Sequence, residues 1–276
     1  MLLFFDRAEA KKCVRVINNS DYIDIAVHGL YHSYYVKGQD YNNTDYYIHG
    51  EKVSEKEIRT RLDACFDLMN YHGFEKKINS FVPPGFIYRE GHLSKILKDY
   101  NILYISTILS DIIEGRNETD AYIENGIITV DRKHNLIPWE EMESSLDNLP
   151  CVSGVFGCHW ANVCHKNPEH NYKLIDGWVN YFKKCGERFE TILSEDMGFC
   201  ATQTVYKKHL KISESDCVYT IDLNDIPSAD GLGECFYISA RKPLSEWAGC
   251  RAEIKDTYPD FINYKIIPES KIITLA

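Results

Sequence analysis

The sequence predicts an α/β protein, a (β/α) barrel or parallel sheet, followed by a small all-β appendage. Three observations carry this. Short β-type runs alternate with amphipathic helical stretches through residues 1–210. Histidine and proline signals stand at the C-terminal ends of those runs, where α/β folds carry their sites. From residue 211 the helical spacing stops and short strand-like runs follow one another to the C-terminus, the pattern of an antiparallel unit. The expected domains are therefore 1–210 and 211–276, with no internal repeat.

In chain order, Leu2–Phe5 reads as a buried strand, and Arg7–Asn18 as a helix with Ala8, Cys13, Val14 and Ile17 inward. Ile23, Ile25 and Val27 alternate with Asp24 and Ala26, the two-residue period of a strand that ends at His28. Tyr34–Gly50 is rich in Tyr, Asn and Asp and reads as a long loop. Ser54 and Glu57 open a capping box, and Ile58, Leu62, Cys65, Phe66 and Met69 repeat at helical spacing behind them. Ile78–Val82 is a strand stopped by Pro83-Pro84-Gly85. His92–Tyr100 is a helix, Ile102–Ile108 a strand, and Gly126–Val130 a further strand with Asn125-Gly126 as its turn. Val152–Cys158 is a strand running into His159-Trp160, Tyr172–Cys185 a helix, and Phe189–Leu193 a last strand before a helix reaching His209. The appendage strands are Val218–Leu223, Cys235–Ala240, Arg251–Lys255, Asn263–Ile267 and Lys271–Leu275.

Composition narrows the function classes. The chain has 276 residues, 44% hydrophobic and 26% charged, with a net charge of -10. That is an ordinary globular balance, long enough for one large domain and an appendage. The acidic charge and the lack of a Lys/Arg stripe argue against nucleic acid and anionic membranes as partners. MLLFF is too short for a signal-peptide core, and no apolar run approaches a membrane span, so a cytoplasmic location is expected. Ten cysteines occur without a CxxC pair and are expected to be mostly buried, reduced thiols.

The motif with most chemical content is HGLYH, His28–His32. Two imidazoles four residues apart at a strand end can converge on one metal ion, and neutral imidazole suits zinc, with a carboxylate as the usual third ligand. Cys158, His159, Cys164, His165 and His170 could hold a structural zinc, but their spacing fits no standard knuckle. Trp160 and Asn162 suit a sugar cleft, the indole by stacking and the amide by bonding hydroxyls; packing and capping are the competing roles.

HGLYH, FVPPGF at Phe81–Phe86 and FGCHW at Phe156–Trp160, in that order, resemble the polysaccharide deacetylase family, the NodB-homology domain on a distorted (β/α) barrel. The resemblance covers roughly residues 1–210, including FETILSED as the closing strand and helix. It implies His28 and His32 as metal ligands, with Gly29 where the family has Ser or Thr. It implies Pro83 and Pro84 in a groove-lining segment that lacks the family's preceding Arg, and His159 as the acid that protonates the departing amine. The family's first strand carries two adjacent Asp residues, the base and the third ligand, and this sequence has no Asp-Asp pair. Asp6 is the nearest replacement, with helix capping as the competing role.

The resemblance thus implies a metal-dependent hydrolase, with a divalent metal, zinc, as cofactor and no base identified, removing an acetyl group from an N-acetylated sugar or related amide. The other reading is a catalytically degenerate carbohydrate-binding or scaffolding protein on the same fold. Without the Asp-Asp strand the sheet is expected to stay open, its edge covered by a loop, the β appendage or a second subunit in a homo-oligomer.

Overall fold

The computed structural model describes residues 7–34, 43–48, 51–88, 91–109, 120–135, 154–157, 164–165, 167–189, 191–216 and 218–276. The chain forms two compact units, Met1–Val130 with Ala229–Gly231, and Asp131–Ser228 with Leu232–Ala276. The fold is mixed α/β, with one sheet of mainly parallel strand pairs that also holds an antiparallel hairpin, and antiparallel pairs in the other sheets. No helix among the described residues is long and apolar enough to cross a membrane.

In the first unit, α1 spans Arg7–Asn18 as the spacing predicts. Its buried side chains are Ala10 and Val14, with Ile17 half-buried, while Ala8 and Cys13 face solvent. The inner stripe therefore runs at i, i+4, i+7 from Ala10, a register set by packing rather than by the nearest apolar residue. Strand β1 (Ala26–Val27) follows. The Tyr-rich segment carries two short ladders, β2 (Ser33–Tyr34) with β3 (Asn43–Thr44), and β4 (Tyr47–Ile48) with β5 (Glu51–Lys52).

Helix α2 covers Glu55–Tyr71, and Ser54 Oγ accepts the Glu57 amide at 3.3 Å. Only the serine half of the capping box forms, because the Glu57 carboxylate pairs with Arg61 one turn on. Ile58 and Leu62 are fully buried. Strand β6 (Ser80–Phe81), helix α3 (Leu93–Asp99) and strand β7 (Tyr104–Thr107) come next. All four residues of β7 are buried, as expected of a strand covered on both faces.

Asn125 and Gly126 both take positive φ, 52° and 84°. They close a hairpin between β8 (Ala121–Glu124), which sequence reading missed, and β9 (Ile127–Asn135). The sheet order begins β1-β6-β7-β9, with β1 parallel to β6 and β6 parallel to β7. Val27, Phe81 and Ile105 line up across it over a core that includes Tyr46, Ile58, Leu62 and Leu97.

In the second unit, β9 continues past Val130 and pairs in parallel with β10 (Val155–Gly157). Phe156 stacks at 6.0 Å on Trp178 of α4 (Asn171–Gly186). The expected strand at Phe189–Leu193 is absent from the described residues there. A turn closed by Thr191 N to Arg188 O, 3.0 Å, breaks the extended run, and Phe189 packs edge-on against Phe261.

Helix α5 (Met197–His209) starts at Asp196, whose carboxylate accepts the Phe199 amide at 2.6 Å. Seven strands then follow: β11 (Lys211–Ser215), β12 (Val218–Asp222), β13 (Phe236–Ala240), β14 (Trp247–Ala248), β15 (Cys250–Thr257), β16 (Ile262–Pro268) and β17 (Ile272–Leu275). They form two antiparallel sheets, β11-β12-β17-β14 and β13-β16-β15, sharing one apolar core. Tyr206 of α5 stacks on Phe236 at 4.8 Å, and the Gln203 amide pairs with the Tyr237 backbone, satisfying the outer edge of β13.

The described cysteines that are free thiols include buried Cys185 and Cys250, half-buried Cys65, Cys164, Cys200 and Cys235, and exposed Cys13. Their burial is more graded than the mostly buried set expected from the sequence.

Candidate metal centre

The centre is built where two parallel strands end together. Val27 pairs with Phe81, and the Val82 amide donates to Val27 O at 2.9 Å, the last ladder bond. Pro83 and Pro84 carry no N–H, so pairing stops there. The residue that follows β1 is His28, and its Nδ1 lies 2.7 Å from Val82 O. A carbonyl only accepts, so Nδ1 is a protonated nitrogen, and in the neutral ring the lone pair lies on Nε2. A backbone carbonyl fixing the tautomer in this way is a common support for a metal-binding imidazole.

The chain turns at Gly29, φ 120°, and brings His32 back beside His28, the ring centroids 4.6 Å apart and inclined by 62°. The two rings meet in an edge-on contact, and both side chains are exposed.

Under this turn lies Asp45, which sequence reading did not single out. It is fully buried. Its carboxylate accepts the Tyr31 amide at 3.0 and 3.2 Å and the His32 amide at 2.9 Å. Burial pushes its carboxyl above the usual value, while the amides of Tyr31 and His32 and the charges of Arg61 and His32 pull the other way. A Cβ on Gly29 would fall 2.4 Å from Asp45 Oδ2 and 3.2 Å from Pro84 Cγ. Glycine stands at position 29 because the carboxylate and the proline occupy the space of a side chain. The available signal was the Tyr46-Tyr47 pair, an aromatic anchor inside a polar loop; both tyrosines are buried.

Pro83 and Pro84 are buried, and Pro84 lies against Gly29 at the turn. Asp6, His159, Trp160 and Asn162 lie outside the described residues, as do Cys158 and the strand expected at Leu2–Phe5. Among the described residues, no group of three or more His, Cys, Asp or Glu side chains could hold a metal ion. His165 and His170 approach to 4.8 Å, with His165 Nδ1 2.9 Å from the Asn167 amide of the same turn.

Fold and site together define an α/β protein with two histidine side chains in contact just beyond the C-terminal end of a parallel strand. No family model, curated protein or solved structure matches the chain.

Proposed function

We propose that the chain is a metal-dependent hydrolase of the polysaccharide deacetylase type, acting on an N-acetylated sugar or a related amide. The observation that carries this reading is the convergence of His28 and His32 at the end of β1, with His28 oriented by Val82 O. These two imidazoles would hold the ion, zinc by its fit to neutral nitrogen ligands, with Asp6 assigned as the carboxylate that joins them. When bound, such an ion polarises the amide carbonyl and lowers the pKa of water. The Val82 carbonyl holds the His28 proton on Nδ1, so Nε2 would be the nitrogen that coordinates. His159 is assigned the proton donated to the departing nitrogen, since an amine leaves poorly unless protonated. Trp160 and Asn162 are assigned to the sugar.

A second reading, a carbohydrate-binding protein without turnover, is favoured by one observation. Asp45, the carboxylate at the turn, is directed at two amides and shielded from water, so it is unsuited to act as a base. The discriminating experiment measures acetate release from N-acetylglucosamine oligomers with added zinc, alongside oligomer binding. The hydrolase reading expects release that stops with a chelator, returns with zinc, and falls about 10²–10⁴-fold in His159→Ala. Binding without release selects the second reading. Neither binding nor release ends both.

A further inference from the structure

We infer that Asp45 is a positioning residue for the metal centre: its carboxylate holds the Gly29–His32 turn through the Tyr31 and His32 amides and so keeps the His32 imidazole beside that of His28. The inference rests on the two-histidine reading above. Three observations converge on it. His32 has φ 66°, a left-handed conformation that a residue with a side chain adopts reluctantly and that needs support from its surroundings. The support present is the carboxylate, through hydrogen bonds of 2.9–3.2 Å to the His32 amide and the one before it. Gly29, with no Cβ, is what lets that carboxylate approach.

The carboxylate is itself anchored. Arg61 of α2 donates through Nη1 to the Asp45 carbonyl, and its Nη2 pairs with Glu57 one turn earlier. Thr44 Oγ1 accepts the amides of Tyr46 at 3.3 Å and Tyr47 at 3.2 Å, closing a small turn around Asp45. Those two tyrosines are buried in the core. A rigid route thus runs from α2 and the core through Asp45 to His32. A buried carboxylate is unfavourable unless its oxygens are satisfied, and here their partners are backbone amides of the histidine turn. The spacing HxxxH alone places His32 in reach of the ion; Asp45 selects the conformation in which it arrives.

The test uses the full chain and two readouts, zinc-binding isotherms and amide hydrogen exchange on the metal-free protein. Asp45→Ala is expected to lower zinc affinity about 10–100-fold, as loss of a supporting hydrogen bond does at metal sites. It should also release the Tyr31 and His32 amides to fast exchange. Asp45→Asn keeps one oxygen in place and should recover part of both. Ile266→Val trims a fully buried side chain of the other unit's core; it should lower the melting temperature and leave zinc affinity and the two amides unchanged. Wild-type affinity and wild-type exchange in Asp45→Ala would overturn the inference, as would an equal loss in Ile266→Val. Should Asp45→Ala not fold, Asp45→Asn decides in the same way, a partial loss in both readouts supporting the role and no loss in either overturning it. Failure of the unmutated chain to take up zinc would refute the two-histidine reading, while the exchange arm would still decide whether Asp45 holds the turn.

Discussion

His28→Ala is expected to abolish zinc binding and any metal-dependent acetate release, leaving the fold intact. His28 is exposed, so its loss opens no cavity in the core. What it removes is one of two imidazoles 4.6 Å apart, and the one whose lone pair is set by the 2.7 Å bond to Val82 O. Loss of an outer-shell hydrogen bond costs about 10–100-fold in metal affinity, and loss of a ligand from a pair should exceed that. His32→Ala should do the same. His72→Ala, at the C-cap of α2, should change nothing in zinc binding. Equilibrium dialysis against zinc checks all three, and undiminished uptake by His28→Ala would mark it as an ordinary surface histidine.

The largest effect on stability is expected at Phe81. Its side chain is fully buried in β6, in register with Val27 on one side and Ile105 on the other, and meets Tyr46 edge-on at 5.3 Å. Phe81→Ala should cost about 3–5 kcal/mol, a transfer term plus a cavity term. Against a total stability of about 5–15 kcal/mol for an ordinary domain, that is a large share. Zinc affinity should fall with it, because Phe81 fixes Val82 beside His28 and packs on Tyr46 beside Asp45. Tyr22→Ala, at a side chain 95% exposed, should stay within about 0.5 kcal/mol. Urea unfolding measures both, and a Phe81→Ala cost under about 1 kcal/mol would show that this strand junction is not part of the core.

What sequence reading found and missed follows the range of each interaction. The strand end at His28, the stop at Pro83 and the approach of His28 to His32 are local, set by alternation, by a missing N–H and by a four-residue spacing, and the structure has all three. The bounds of α1 and the Ser54 cap were legible for the same reason. Which face of α1 turns inward depends on what it packs against, so Ala10 was passed over for Ala8 and Cys13. Phe189–Leu193 has strand-like alternation, but a turn at Arg188–Thr191 prevails. Asp45 reaches His32 across thirteen residues of polar chain, a contact that no periodicity encodes.

The central claim, that His28 and His32 share one metal ion, is tested most directly by anomalous diffraction at the zinc edge from crystals of the full chain grown with zinc. The account predicts one strong peak between these two side chains, about 2.0–2.1 Å from an imidazole nitrogen of each. A peak at His165 and His170 with none at His28 and His32, or no ordered zinc at all, would contradict it.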